Sequence, residues 1–169
     1  YFTEQIARNR HKIAKVATSL ADDGSGGTTL REAIQEANTT GGADTIVFQS
    51  GLSGTITLTG GQLAIDDDVT ITGPGSGSLT VDADGASRAF LLYLYLGSFE
   101  VNISGLTITG GAPPNNGAGI YGHNVELSLD DVVLDDGRQV LRDGAPTLVD
   151  EAEVRAKAAE QARRLFERL

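Results

Sequence analysis

With 169 residues, 13 Lys+Arg against 23 Asp+Glu and a formal charge of −10, the chain has the size of one domain and the wrong charge for a general nucleic-acid binder, which needs clustered cations to displace counterions from phosphate. It has no Cys, which excludes disulfides, thiolate zinc sites and thiol chemistry. No apolar run approaches the ~18 residues of a membrane span, and no signal peptide is recognisable at the start, so neither nucleic acid nor membrane is an expected partner. The charge is segregated: residues 1–19 hold four bases and one acid, residues 135–169 seven bases and eight acids, and residues 20–134 only Arg31 and Arg88 against fourteen acids. That acidic middle also holds 20 of the 22 glycines, so three kinds of sequence are joined.

In chain order, residues 1–15 predict an N-terminal helix, with Phe2, Ile6, Asn9 and Ile13 on one face, and Val16 to Leu20 then alternates like a strand. Thr29-Leu-Arg-Glu32 is a capping box opening a helix over 30–38, which ends towards Gly41-Gly42. From Ala43 to Leu134, short β-branched runs recur between Gly, Asp, Asn and Ser: Ile46–Phe48, Thr55–Leu58, Leu63–Ile65, Val69–Ile71, Leu79–Val81, Val101–Ile103, Leu106–Ile108, Val125–Leu129 and Val132–Leu134. Like positions recur 23 or 24 residues apart (Ile46 to Val69, Ile56 to Leu79, Val101 to Val125), while Val69 to Val101 is 32, which requires an insertion. Strands this short with Gly-rich corners predict a solenoid of about four coils rather than hairpins. Its Val, Ile and Leu would point inward, and Thr57, Thr70, Thr80, Asn102 and Thr107 outward. Residues 135–146 read as a linker. Residues 147–169 read as an amphipathic helix packed as a cap on the coils in a single compact unit, its seam Leu148, Ala152, Arg155, Ala159, Ala162, Phe166 and Leu169 following 4-3 spacing, with Glu153/Lys157 and Glu160/Arg164 pairs on the other side.

The stretch from Leu20 to about Leu134 resembles the right-handed parallel β-helix repeats of bacterial surface and autotransporter-like proteins. The residues that carry this are Ala21-Asp-Asp-Gly-Ser-Gly-Gly-Thr-Thr-Leu-Arg-Glu-Ala-Ile34, similar to the "CSLREA" motif at the start of such regions, then Gly42-Ala-Asp-Thr-Ile46, Gly51-Leu-Ser-Gly-Thr-Ile-Thr-Leu58, Thr70-Ile-Thr-Gly-Pro-Gly75 and Ile103-Ser-Gly-Leu-Thr-Ile-Thr-Gly-Gly111. Thr28 stands where the family often carries Cys, and Leu91-Leu-Tyr-Leu-Tyr-Leu96 replaces a more polar strand and turn. The resemblance implies a mainly β fold, a short right-handed parallel β-helix with an N-terminal capping helix over 30–38 in a domain spanning 16–134, to which the two terminal helices are additions. It also implies a secreted or bacterial cell-surface setting.

Chemistry-bearing residues are few. His11 and His123 are the two histidines, and His123 falls in a Tyr121-Gly-His-Asn124 turn, with no second ligand or nucleophile beside either in sequence. Asp66-Asp67-Asp68 and Asp82/Asp84 are the best candidates for calcium, but neither completes an EF-hand loop. A lyase acting on acidic sugars needs a base and cations, and the coils offer only Arg88. Gly24-Ser-Gly-Gly27 lacks the Lys-Ser/Thr of a phosphate loop. No catalytic, cofactor-binding or metal residue is therefore assigned. The expected function is a structural scaffold, an engineered or chimeric capped β-helix. The alternatives are a fragment of a secreted β-helix adhesin or stalk, and an engineered binding or self-assembling module using Leu91, Tyr93, Tyr95 or the terminal helix faces.

Overall fold

The structure is a computed structural model and describes residues 14–112, 119–134, 140–142 and 145–147. It begins with strand β1 (Ala14–Ala17), followed by a loop and one helix, α1 (Leu30–Thr40). Thr29 caps α1 reciprocally: its hydroxyl accepts from the Glu32 amide at 3.2 Å, and the Glu32 carboxylate accepts from the Thr29 amide at 2.9 Å. Leu30, Ala33, Ile34 and Ala37 form one buried stripe, as their 3-1-3 spacing requires. The helix runs past Asn38 because the hydroxyls of Thr39 and Thr40 both donate back to the Glu36 carbonyl, and Gly41 ends it at φ 57°. Replacing Thr29 by Ala is expected to cost about 1 kcal/mol, read as a lowered denaturant midpoint at unchanged slope.

The rest is a parallel β-solenoid of about four turns. Three strands make the first turn, β2 (Asp44–Phe48), β3 (Gly54–Thr57) and β4 (Leu63–Ile65), and three the second, β5 (Val69–Thr72), β6 (Leu79–Asp82) and β7 (Phe90–Tyr93). In the third, β8 (Phe99–Thr109) occupies two positions and β9 (Ile120–His123) the third; in the fourth, β10 (Val125–Leu134) does the same and β11 (Val140–Arg142) follows. The chain then reverses into β12 (Ala145–Thr147), antiparallel to β11, while every other pairing is parallel. Stacking in register builds continuous interior columns such as Ile46-Ile71-Ile103, Ile56-Val81-Ile108 and Leu63-Phe90-Ile120, all essentially fully buried. Each such side chain contributes roughly 1.5–3 kcal/mol relative to an exposed one, which outweighs the modest ladder preference of any single three-residue strand.

Several details depart from the sequence reading. The 32-residue step from Val69 to Val101 is a real register pair, its extra residues falling largely in the loop after β7. The 23- and 24-residue steps are not: Ile46 lies over Ile71, Ile56 over Val81 and Val101 under Leu127. A two-residue slip keeps every side chain on the same face, so hydrophobic patterning alone does not separate the two registers. Ala14 and Lys15, placed in an N-terminal helix, belong to β1, because this segment pairs with β2 and extends the first stack; residues 1–13 lie outside the described residues. Its phase is also unexpected, with Lys15 and Ala17 buried and Val16 43% exposed. Lys15 can turn inward because its ammonium lies 3.1 Å from Glu36 of α1 and 3.8 Å from the buried Asp44. The segment read as a linker contains β11 and the first two residues of β12, the former continuing the stack above β9. Of the C-terminal helix expected over 147–169, Thr147 is in β12 and the remainder lies outside the described residues.

Candidate functional site

The densest polar network joins the loop before α1 to the corner between β3 and β4. Asp22, with a side chain 1% exposed, pairs bidentately with Arg31 on the first turn of α1: Nε to Oδ1 at 2.8 Å and Nη2 to Oδ2 at 2.9 Å. The same guanidinium donates to the Gly61 and Gln62 carbonyls at 2.6 and 3.1 Å, and Asp22 Oδ2 accepts the Thr59 and Gly60 amides at 2.8 Å each. Burial by itself raises the Asp22 pKa. The Arg31 hydrogen bonds, the Gly60 amide, the Arg31 charge and the Thr59 amide outweigh it and hold the carboxyl below its ordinary 3.8. The capping-box sequence announces Thr29 and Glu32, but nothing local identifies Asp22 as the partner of Arg31. Arg31 donates to a corner 30 residues further on, and Asp22 accepts from one 37 residues on.

The second cluster lies on the outer face of the β4-β7-β9 stack. Leu91 pairs with Tyr121 and Tyr93 with His123 across β7 and β9, so their side chains share one face. Tyr93 and His123 stack at 5.0 Å between ring centroids, and the Arg88 guanidinium sits 5.0 Å above the Tyr121 ring. His123 is therefore the last residue of a strand, not a turn residue; the corner to β10 is the single residue Asn124, at φ 55°. Gly122 between two polar residues hid this strand, yet its backbone fills the interior position above Leu92. His123 Nδ1 is buried without a hydrogen-bond partner among the described residues. Tyr93 is 39% exposed and Tyr95 and Leu96 are each 77% exposed, so this rim is the most apolar exposed surface among the described residues.

Most of the aspartate clusters' polar groups bind the solenoid's own backbone and side chains. Asp67 accepts the Asp68 amide at 2.8 Å, Asp68 the Glu100 amide at 2.7 Å, and the Asp66 amide donates to Asn38. Asp82 accepts the Asp84 amide at 2.9 Å, with Asp84 at φ 54°. Asp131, in the fourth coil, reaches back to the Ser76 hydroxyl and amide at 2.7 and 3.1 Å, contacts that hold its carboxyl below the ordinary range. Among the described residues, no group of three His, Cys, Asp or Glu is arranged to hold a metal ion. The Gly24–Gly27 loop folds against β1's end, the Ser19 hydroxyl donating to the Ser25 carbonyl at 2.8 Å. The Thr28 carbonyl is bound by the Thr18 and Ser19 amides. His11 lies outside the described residues.

Compared with protein-family models, curated proteins and solved structures, the chain matches none.

Proposed function

We propose that the protein is a non-catalytic β-solenoid scaffold, a β-helix segment of the bacterial surface type joined to helical ends of different origin, with α1 acting as the cap of the first coil. The observation that carries this reading is where the polar side chains go. Both cations between residues 20 and 134 are engaged within the fold, Arg31 with Asp22 and two corner carbonyls, Arg88 over Tyr121. Asp22, Asp82 and Asp131 accept backbone amides of corners, and Asp68 accepts that of Glu100 in β8. A general base needs a reachable proton and a pKa moved towards neutrality; Asp22 and Asp131 are moved away from it. The change of composition after Leu134, to balanced charge and a regular seam, supports a joined origin. Incubation with a panel of acidic and neutral polysaccharides is expected to give no turnover above the buffer rate; release of reducing or unsaturated ends would overturn the scaffold reading.

A binding role for the rim of Tyr93, Tyr95 and Leu96 is the second reading, favoured by its exposure. If it holds, Tyr95→Ser abolishes association seen by light scattering; a parent chain that is monomeric at every concentration rejects self-assembly through this rim.

A further inference from the structure

β1 gives its inward positions to Lys15 and Ala17 and leaves Val16 exposed, the reverse of what burial of apolar surface favours. The Lys15 side chain is 3% exposed and that of Asp44 4%, with Nζ standing 3.8 Å from Asp44 Oδ2, so an amine and a carboxyl meet away from bulk water. The ladder explains the meeting. Lys15 lies opposite Ile46, which makes Asp44, two residues earlier in β2, its diagonal neighbour on the same interior face. From α1, the exposed Glu36 brings a carboxylate oxygen to 3.1 Å from the same nitrogen, and the Thr40 hydroxyl reaches Asp44 Oδ2. Yet Lys15 Nζ is buried without a hydrogen bond of good geometry among the described residues. An ion pair in that position keeps much of its desolvation cost, because only well-formed hydrogen bonds offset it.

We propose that Lys15 and Asp44 condense to an isopeptide bond, with Glu36 as the proton carrier. Amines and carboxylic acids in water rarely react because they rarely meet; held in contact, such groups reach effective molarities of about 10⁵–10⁸ M. One ammonium proton passes to Asp44, making a neutral carboxyl, and a second passes to Glu36, freeing the Nζ lone pair. The lone pair attacks Asp44 Cγ and forms the C–N bond. The C–OH bond then breaks, and the hydroxyl takes the proton back from Glu36 and leaves as water. The third hydrogen stays on the amide nitrogen, so the step balances without any further reagent and Glu36 ends as it began. Both buried charges disappear, and β1 is fastened to β2 around a covalent loop that carries α1.

The intact mass of the full chain, measured after denaturation, tests this without requiring any variant to fold. The parent is expected to be lighter by one water than its residues sum to. Trypsin is expected to leave Lys15 uncut and residues 13–31 joined to residues 32–88. Lys15→Arg keeps the charge without the nucleophile and is expected to show the full mass. Asp44→Asn is expected to join with loss of ammonia, which is then the leaving group. Glu36→Gln is expected to slow joining by about a hundredfold, so that fresh protein has the full mass and converts on standing. A parent of full mass overturns the proposal. So does a water loss that survives Lys15→Arg, as a succinimide at Asp84-Gly85 would give. Joining in Glu36→Gln at the parent's rate overturns the role given to Glu36.

Discussion

Gly105→Ala is expected to destabilise the protein by about 3 kcal/mol or more, while Gly51→Ala costs only about 1 kcal/mol, although both glycines have positive φ (63° and 80°). The difference is crowding. A Cβ at Gly51 meets nothing within 4 Å, so the substitution carries only left-handed strain. A Cβ at Gly105 would stand 2.7 Å from the Gly73 carbonyl oxygen and 3.0 Å from the Gly75 amide nitrogen. The backbones are pinned there: Gly73 donates to the Ser104 carbonyl at 2.8 Å, and Gly75 to the Gly105 carbonyl at 3.0 Å. Neighbouring backbone has no rotamer to change, so the coils must separate at the corner where β8 bends. Denaturant titration of the two variants decides it, and equal losses would refute the crowding argument.

Arg31→Ala is expected to cost about 3–5 kcal/mol, the range for removing one member of a buried ion pair. It strands the Asp22 carboxylate, 1% exposed, with the Thr59 and Gly60 amides and a long 3.5 Å contact from the Thr59 hydroxyl, and it leaves the Gly61 and Gln62 carbonyls without their donor. A well-packed apolar pair would not reproduce this network, because the two carbonyls belong to the backbone and remain wherever the side chains go. Asp22→Asn adds a pH signature. The folded-state pKa of Asp22 is below its ordinary 3.8, so its contribution is fully present above that value and is lost as pH falls through the folded pKa. The stability gap between parent and Asp22→Asn is therefore expected to be constant near neutrality and to shrink below about pH 4. A gap that stays constant down to acid unfolding would show that Asp22 is not held as a carboxylate by Arg31.

The candidate network and the fold were legible to different degrees. Thr29-Leu-Arg-Glu32 could be read as a cap because both partners of each hydrogen bond lie within four residues. The solenoid could be read because three-residue apolar runs with Gly corners recur, and the long step from Val69 to Val101 told where the regularity breaks. The engagement of Arg31 could not, since Asp22 is nine residues away and the carbonyls about thirty. The pairing of Tyr93 with His123, and of Arg88 with Tyr121, was equally hidden, because β9 carries a glycine and alternates too briefly to register as a strand.

Local pattern was enough to establish a mainly β solenoid of about four turns, its inward aliphatic residues and the start of α1, because alternation and capping are written within a few consecutive positions. The stacking of coils some 25 to 32 residues apart settled the two-residue register, the inward turn of Lys15 in place of Val16, and the lock between Asp22, Arg31 and the β3–β4 corner. Each of these depends on which backbone lies above which, and a period of two along a strand leaves that choice open until the turns are packed.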